Sequence, residues 1–237
     1  MNIINYAHRG ASEYAPENTL SSFYLGLVQG ANGIETDVQR TKDGVLVLFH
    51  DDTVDRVSDG SGKLSDFTLA ELEKLKIYGN NTRGFYDKIL TFEEFLEKFS
   101  NYDLTFAIEL KGEGVEEDTL EMIKRFGIFE RTTFTSFNFD YIKKIKELDP
   151  NARVGYLTQS TCEEHIEQLI GIGGEEIAPK ASELTEENIA LYRSRGLGVR
   201  AWGVQSIELM KKMCALKVDG MTVNFPDRLF EYLNSIK

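Results

Sequence analysis

Short β-like runs of five to seven residues alternate along this chain with segments of helical period, an order that few architectures accept. The runs lie at 2–7, 33–39, 45–50, 104–110, 132–137, 153–158, 175–179, 198–204 and 218–223. Between most of them fall amphipathic helices with readable ends. After Asn18, the residues Leu20, Phe23, Tyr24, Leu27 and Val28 follow helical spacing, and Gly30 stops it. Thr91 and Glu94 form a capping box ahead of Phe92, Phe95, Leu96 and Phe99. Asn138 opens a further helix, and Pro226 suits the first turn of the last one. Repeated strand–helix alternation predicts a parallel sheet covered by helices, and about eight such units make a closed (β/α)8 TIM barrel. Nine runs are one too many. Asp43-Gly44 is a hairpin signal, so 45–50 reads as an antiparallel return on the second strand rather than a barrel strand.

The 237 residues are read as a single catalytic TIM-barrel domain spanning 1–237, with 51–90 as a small insertion at the C-terminal mouth. The insertion holds turn residues and one short helix at about 68–76, capped by Thr68 and Glu71. Two apparent motifs there fail. "DRVSDG" lacks calcium-hand ligands, since Val57 and Asp66 occupy key positions, and "GSGK" is no phosphate loop because Val57 stands where its first glycine belongs. Cys162 and Cys214 are read as reduced thiols in helices. No apolar run approaches a membrane span and no signal-peptide pattern opens the chain, which predicts a cytoplasmic protein with no membrane anchor. The net charge of −12 disfavours nucleic acid as a partner. An anionic substrate would therefore need positive charge supplied locally.

A barrel carries its active site at the C-terminal ends of its strands. Those ends bear His8 and Arg9, then Glu35 and Asp37, Glu109 and Lys111, Ser136 and Phe137, and Trp202 on the seventh. Glu35 and Asp37 are two apart, so they share one face of their strand. Two close carboxylates repel unless a cation lies between them. With Glu109 they form an oxygen set suited to one divalent cation, Mg²⁺ or Ca²⁺, rather than zinc. His8 and His50 suit general acid–base chemistry near neutral pH, and His165 reads as structural. Arg9 and Lys111 supply charge for an oxyanion, and Gly10 allows close backbone approach. Arg9 could pair with Glu35 when no metal is bound. If the 43–44 hairpin loop holds two residues, His50 lies opposite Asp37, and if four, opposite Glu35. Either way His50 faces the carboxylates, whereas a three-residue loop flips that parity.

"HRG" (8–10), "PENT" (16–19), "ETD" (35–37), "DG" and "HD" (43–44, 50–51), "ELK" (109–111), "AW" (201–202) and "DG…FPD" (219–227) together resemble the glycerophosphodiester phosphodiesterases over essentially the whole chain. The resemblance implies a TIM barrel and metal-dependent hydrolysis of glycerophosphodiesters, such as glycerophosphocholine and glycerophosphoethanolamine, to sn-glycerol 3-phosphate and an alcohol. It matches His8 and His50 to the acid/base pair and Glu35, Asp37 and Glu109 to the metal ligands. Arg9 and Lys111 match phosphate-holding residues, while Trp202 and Phe137 match aromatic walls of the substrate pocket. "GVQ" (203–205) and "TVNFPD" depart from the commoner family patterns, which bears on the leaving group. The partner implied is a small-molecule substrate, and a homodimer is compatible with it. The alternatives within phosphodiester chemistry are a lysophospholipase D acting on lysophospholipids and a relative of the phosphoinositide-type phospholipase C. A non-catalytic phosphate-binding barrel is the third reading.

Overall fold

Strand propensity and helix caps place the elements where the alternation predicts, in a computed structural model that describes residues 3–79, 84–160 and 162–236. Residue 2 of the first run and residues 80–83 of the insertion lie outside the described residues. In chain order the strands are β1 (Ile4–His8), β2 (Gly33–Arg40), β3 (Leu46–Leu48), β4 (Ile77–Tyr78), β5 (Tyr86–Asp87), β6 (Thr105–Leu110), β7 (Thr132–Ser136), β8 (Arg153–Thr158), β9 (Glu176–Pro179), β10 (Gly198–Val204) and β11 (Gly220–Val223). Eight of them run parallel and close through β1–β11 and β1–β2 pairing into a TIM barrel, with helices between the strands. The ninth strand of that sheet, β3, returns antiparallel on β2.

The register does the positioning. His8 of β1 pairs with Glu35 of β2, and Asp37 of β2 pairs with Glu109 of β6. Residues paired in register share a face, so three strand ends deliver one cluster.

The hairpin differs from both registers that aim His50 at the carboxylates. Val38 pairs with Leu48 and Arg40 with Leu46, and Thr41 N–H bonds Val45 O at 2.9 Å, so the loop holds three residues, 42–44. Gly44 at φ +90° makes that turn possible. A regular continuation would send His50 to the far face. Instead the ladder ends with the Phe49 N–H to Asp37 O bond, and the chain bends at 50–52. His50 returns within electrostatic reach of Asp37 by that bend rather than by strand alternation.

Helix α1 (Leu20–Val28) is capped by Thr19, whose side chain accepts from Ser22 N–H; Asn18 lies one residue outside and does other work. In the insertion, helix α2 is shorter than the 68–76 expected, covering Leu69–Leu72 behind the Thr68–Glu71 box. A two-stranded ribbon of β4 and β5, too short to show in the sequence pattern, accompanies it. Val54, Val57, Leu64 and Ile77 cluster there with Val47 and Phe49 of the hairpin, so the insertion packs on the strand pair that carries the site. The main core lies between barrel and helices. The ring of Phe23 in α1 sits 4.9 Å from that of Phe95 and 5.7 Å from that of Phe99 in α3 (Phe92–Phe99). Cys214 is buried as expected, but Cys162 is exposed at the cap of its helix; both are free. Among the described residues no helix is long and apolar enough to cross a membrane.

Candidate active site

Glu35, Asp37 and Glu109 are 3%, 0% and 6% exposed, and each offers a carboxylate oxygen within 4.8 Å of the others. Three buried acids at this spacing repel strongly. Burial, followed by repulsion from Asp37 and Glu109, pushes the Glu35 carboxyl well above its usual range. Glu109 rises to about 7, from burial and then Asp37, with Lys111 opposing. Asp37 goes the other way: burial would raise it, but Arg9, His50, Lys111 and a hydrogen bond from Asn18 hold it ionised. Asp37 Oδ1 is buried without a hydrogen-bond partner, although Lys111 Nζ is 3.9 Å away. An unpartnered anionic oxygen facing two crowded carboxyls fits a divalent oxygen-seeking cation, which would supply the missing positive charge.

Arg9 follows β1 in a left-handed conformation, φ +55°, uncommon for a side chain of its size. That turn lets its N–H donate to both the backbone oxygen (2.9 Å) and Oε2 (3.2 Å) of Glu35. The guanidinium is directed elsewhere: Nε lies 3.2 Å from Asp37 Oδ2 and Nη1 donates to Glu17 Oε1 at 3.0 Å. The ion pair is therefore with Asp37 and Glu17, and Glu35 receives only the main-chain donor. Gly10, φ +82°, owes its identity to the scaffold, since a β-carbon there would fall 2.4 Å from the Ser22 backbone of α1.

The two histidines are anchored by the same ring nitrogen. His8 Nδ1 lies 2.6 Å from Asn224 Oδ1, and its Nε2 is 3.9 Å from Glu35 Oε2. Burial and then Arg9 lower the His8 pKa to about 3, so the ring is neutral. An amide oxygen only accepts, which puts the His8 proton on Nδ1 and leaves Nε2 with a lone pair. His50 Nδ1 lies 2.5 Å from Asp51 Oδ1. Lys111 Nζ is 3.1 Å from Glu109 Oε1, and its pKa rises because Asp37 and Glu109 outweigh burial.

Across the mouth, the Trp202 ring meets Phe137 edge-on at 5.0 Å, and its Nε1 donates to Thr158 O at 3.0 Å. The sequence-predicted residues thus form two groups. Acid, base and cation side chains gather on or just past β1, β2 and β6, with His50 brought in past β3, while aromatic rings stand on β10 and just past β7.

A family profile described as the glycerophosphoryl diester phosphodiesterase family matches residues 8–228. The chain belongs to this family. It is 33% identical over 237 residues to a glycerophosphodiester phosphodiesterase of Caldanaerobacter subterraneus subsp. tengcongensis, covering 97% of each chain. A phosphodiesterase of Oleispira antarctica, solved in complex with the product sn-glycerol-3-phosphate, superposes with a TM-score of 0.87 at 28% identity, covering 97% of this chain and 96% of that one. The glycerophosphodiester phosphodiesterase of Thermotoga maritima gives a TM-score of 0.80 at 28% identity, covering 98% and 99%. The protein is accordingly a phosphoric diester hydrolase.

Five residues of this phosphodiesterase escape a strand-end reading. Glu17 and Asn18 sit in the "PENT" stretch ahead of α1, Asp51 follows His50, Asn224 follows β11, and Arg56 lies in the insertion. Asn18 Nδ2 donates to Asp37 Oδ2 at 2.9 Å. The "PENT" and "HD" motifs and the final "TVNF" hinted at four of them. Nothing local to "DRVSDG" marks Arg56, whose role depends on contacts with Glu17 across 39 positions of sequence.

Proposed function

We propose that this chain hydrolyses glycerophosphodiesters such as glycerophosphocholine and glycerophosphoethanolamine to sn-glycerol 3-phosphate and an alcohol, using Mg²⁺ or Ca²⁺ held by Glu35, Asp37 and Glu109. The observation that carries the reading is the buried three-carboxylate cluster flanked by two histidines with anchored Nδ1 atoms. A bound divalent cation supplies Lewis-acid stabilisation of charge on the phosphate. Arg9 and Lys111, both beside the carboxylates, hold the phosphate oxygens and stabilise charge that develops on them. One histidine takes a proton from the nucleophile and the other returns one to the leaving alcohol through Nε2. Trp202 and Phe137 wall the pocket for the organic part of the diester. The reading places the reaction in the cytoplasm, in turnover of phospholipid-derived head groups.

The test is release of glycerol 3-phosphate from both diesters with EDTA, Mg²⁺ or Ca²⁺ present. Metal-dependent release from at least one substrate supports the proposal. Turnover of lysophosphatidylcholine alone would replace it with a lysophospholipase D. No turnover, and no metal uptake by isothermal titration, would overturn it.

A further inference from the structure

Arg56 belongs to the insertion, yet its guanidinium grips two carboxylates of the catalytic mouth at once. Nε and Nη2 donate to Asp51 at Oδ2 (2.5 Å) and Oδ1 (3.1 Å). Nη1 and Nη2 donate to Glu17 at Oε2 (2.9 Å) and Oε1 (2.7 Å). Each of those acids holds a residue of the proposed reaction: Asp51 receives His50 Nδ1, and Glu17 receives Arg9 Nη1. The result is one hydrogen-bonded path, His50–Asp51–Arg56–Glu17–Arg9, which the Arg9–Asp37 ion pair extends to the carboxylate cluster.

We propose that Arg56 is a positioning residue, which through Asp51 keeps the His50 proton on Nδ1 and Nε2 open for proton transfer, and through Glu17 keeps Arg9 in place beside Asp37. The proposal rests on the reading of His50 as a proton-transfer group.

Three physical points carry it. An ionised carboxylate accepts and cannot donate, so the His50–Asp51 bond fixes which ring nitrogen bears the proton. Asp51 stays ionised: burial opposes the charge, but hydrogen bonds from Arg56 and His50 hold the carboxyl below its usual range. Charge balance is the second point. Asp37, Glu17 and Asp51 are three acids served by Arg9 and Arg56, and Glu17 is only 9% exposed, so removing Arg56 leaves Glu17 with Arg9 alone, a cation it already shares with Asp37. Geometry is the third. Only a planar fork of five donors can engage two carboxylates bidentately at once; an ammonium in its place engages one or the other.

The alternative is that Arg56 merely staples the insertion to the barrel. The full chain with Mg²⁺ bound distinguishes the two, because it has only three histidines, whose imidazole ¹⁵N resonances are assigned by His50→Gln and His165→Gln. In the native protein the His50 spectrum should show a protonated Nδ1. Arg56→Met should average the two tautomers and lower kcat for glycerophosphocholine by about 10- to 100-fold, the usual cost of removing a partner that orients an active-site ligand. Asp51→Ala cuts the same path without touching Glu17 and should give the same spectral change. Arg56→Lys should recover part of kcat. An Arg56→Met protein that is folded by circular dichroism but keeps the native His50 spectrum overturns the proposal, whatever happens to kcat. Should the native enzyme turn over no diester, the functional reading fails on its own, and the tautomer comparison still decides the role of Arg56.

Discussion

Asn18 donates from Nδ2 to Asp37 Oδ2 at 2.9 Å while its own Oδ1 accepts the Thr36 hydroxyl at 2.8 Å. It holds a left-handed conformation, φ +57°, which asparagine tolerates better than most side chains. One residue thus spends its whole side chain tying the entry to α1 to the most deeply buried carboxylate. Asn18→Ala loses two buried hydrogen bonds and puts alanine in a strained backbone, a cost of about 2–4 kcal/mol. In a chain of this size that corresponds to a melting temperature lower by roughly 5–15 °C. Thermal melts of native and variant protein check it; a change under 2 °C would mean the contact is incidental.

The carboxylate cluster makes metal binding depend on pH. Burial and Asp37 push Glu109 up to about 7 and raise Glu35 well above its usual range, so the cluster takes up protons under mildly acidic conditions. A cation must displace them. Affinity for Mg²⁺ should therefore fall as pH drops from about 7.5 to 6, with protons released on binding. Titration calorimetry in two buffers of different ionisation enthalpy counts them. The same shifts give a sign for stability. Between the usual glutamate value, roughly 4.5, and about 7, Glu35 and Glu109 hold protons in the metal-stripped folded state that the unfolded chain has released, so their contribution to stability declines as pH rises through that window. His8, neutral in the fold, contributes in the opposite direction up to the usual histidine value, roughly 6.5. Saturating Mg²⁺ should cancel the decline.

The strand count, the hairpin and the residues of the cluster were all legible in the sequence, because barrel strands announce themselves by short apolar runs and by what stands at their ends. The path to His50 was not. Alternation predicts the direction of a side chain only while the ladder continues, and here β3 stops at Leu48 and the chain bends. Arg56 was equally hidden. Its meaning lies in Glu17 and Asp51, which the fold brings together from both sides of β2 and β3. Asn18 read as a helix start, yet Thr19 is the cap and Asn18 serves Asp37. Local chemistry was right about residue type and silent about tertiary partner.

Packing between α1 and α3 gives a prediction independent of chemistry. Phe95 is fully buried and touches Phe23, Phe99 and Phe106, with ring centroids 4.9, 5.2 and 6.1 Å away. Phe95→Ala opens a cavity that these three rings frame, at about 3–5 kcal/mol. Urea titration should show a lower midpoint with an unchanged slope, and Phe95→Leu should restore more than half of the loss.

Trp202 and Phe137 should reveal themselves in binding rather than in chemistry. The Trp202 indole is fixed by its bond to Thr158 O and braced edge-on by Phe137, so the proposed wall is preorganised. On the proposed role, Trp202→Ala removes apolar contact with the diester's organic part and should raise KM about 5- to 30-fold, with kcat within about threefold of native.

His8 and His50 should behave in the opposite way. On the proposed mechanism either His→Gln variant loses a proton-transfer group while an amide keeps much of the shape, so kcat should fall about 10²-fold or more and melting temperature and Mg²⁺ affinity should stay near native. If both protons move in one step, the double variant should be little worse than the more damaging single one, since residues that act as a unit are strongly non-additive. If they move in separate steps, the losses should separate under rapid-quench conditions, one in the burst and one in the steady state. A single variant that retains more than a tenth of native turnover, with its metal bound, relieves that histidine of the role and leaves the other to work with water alone.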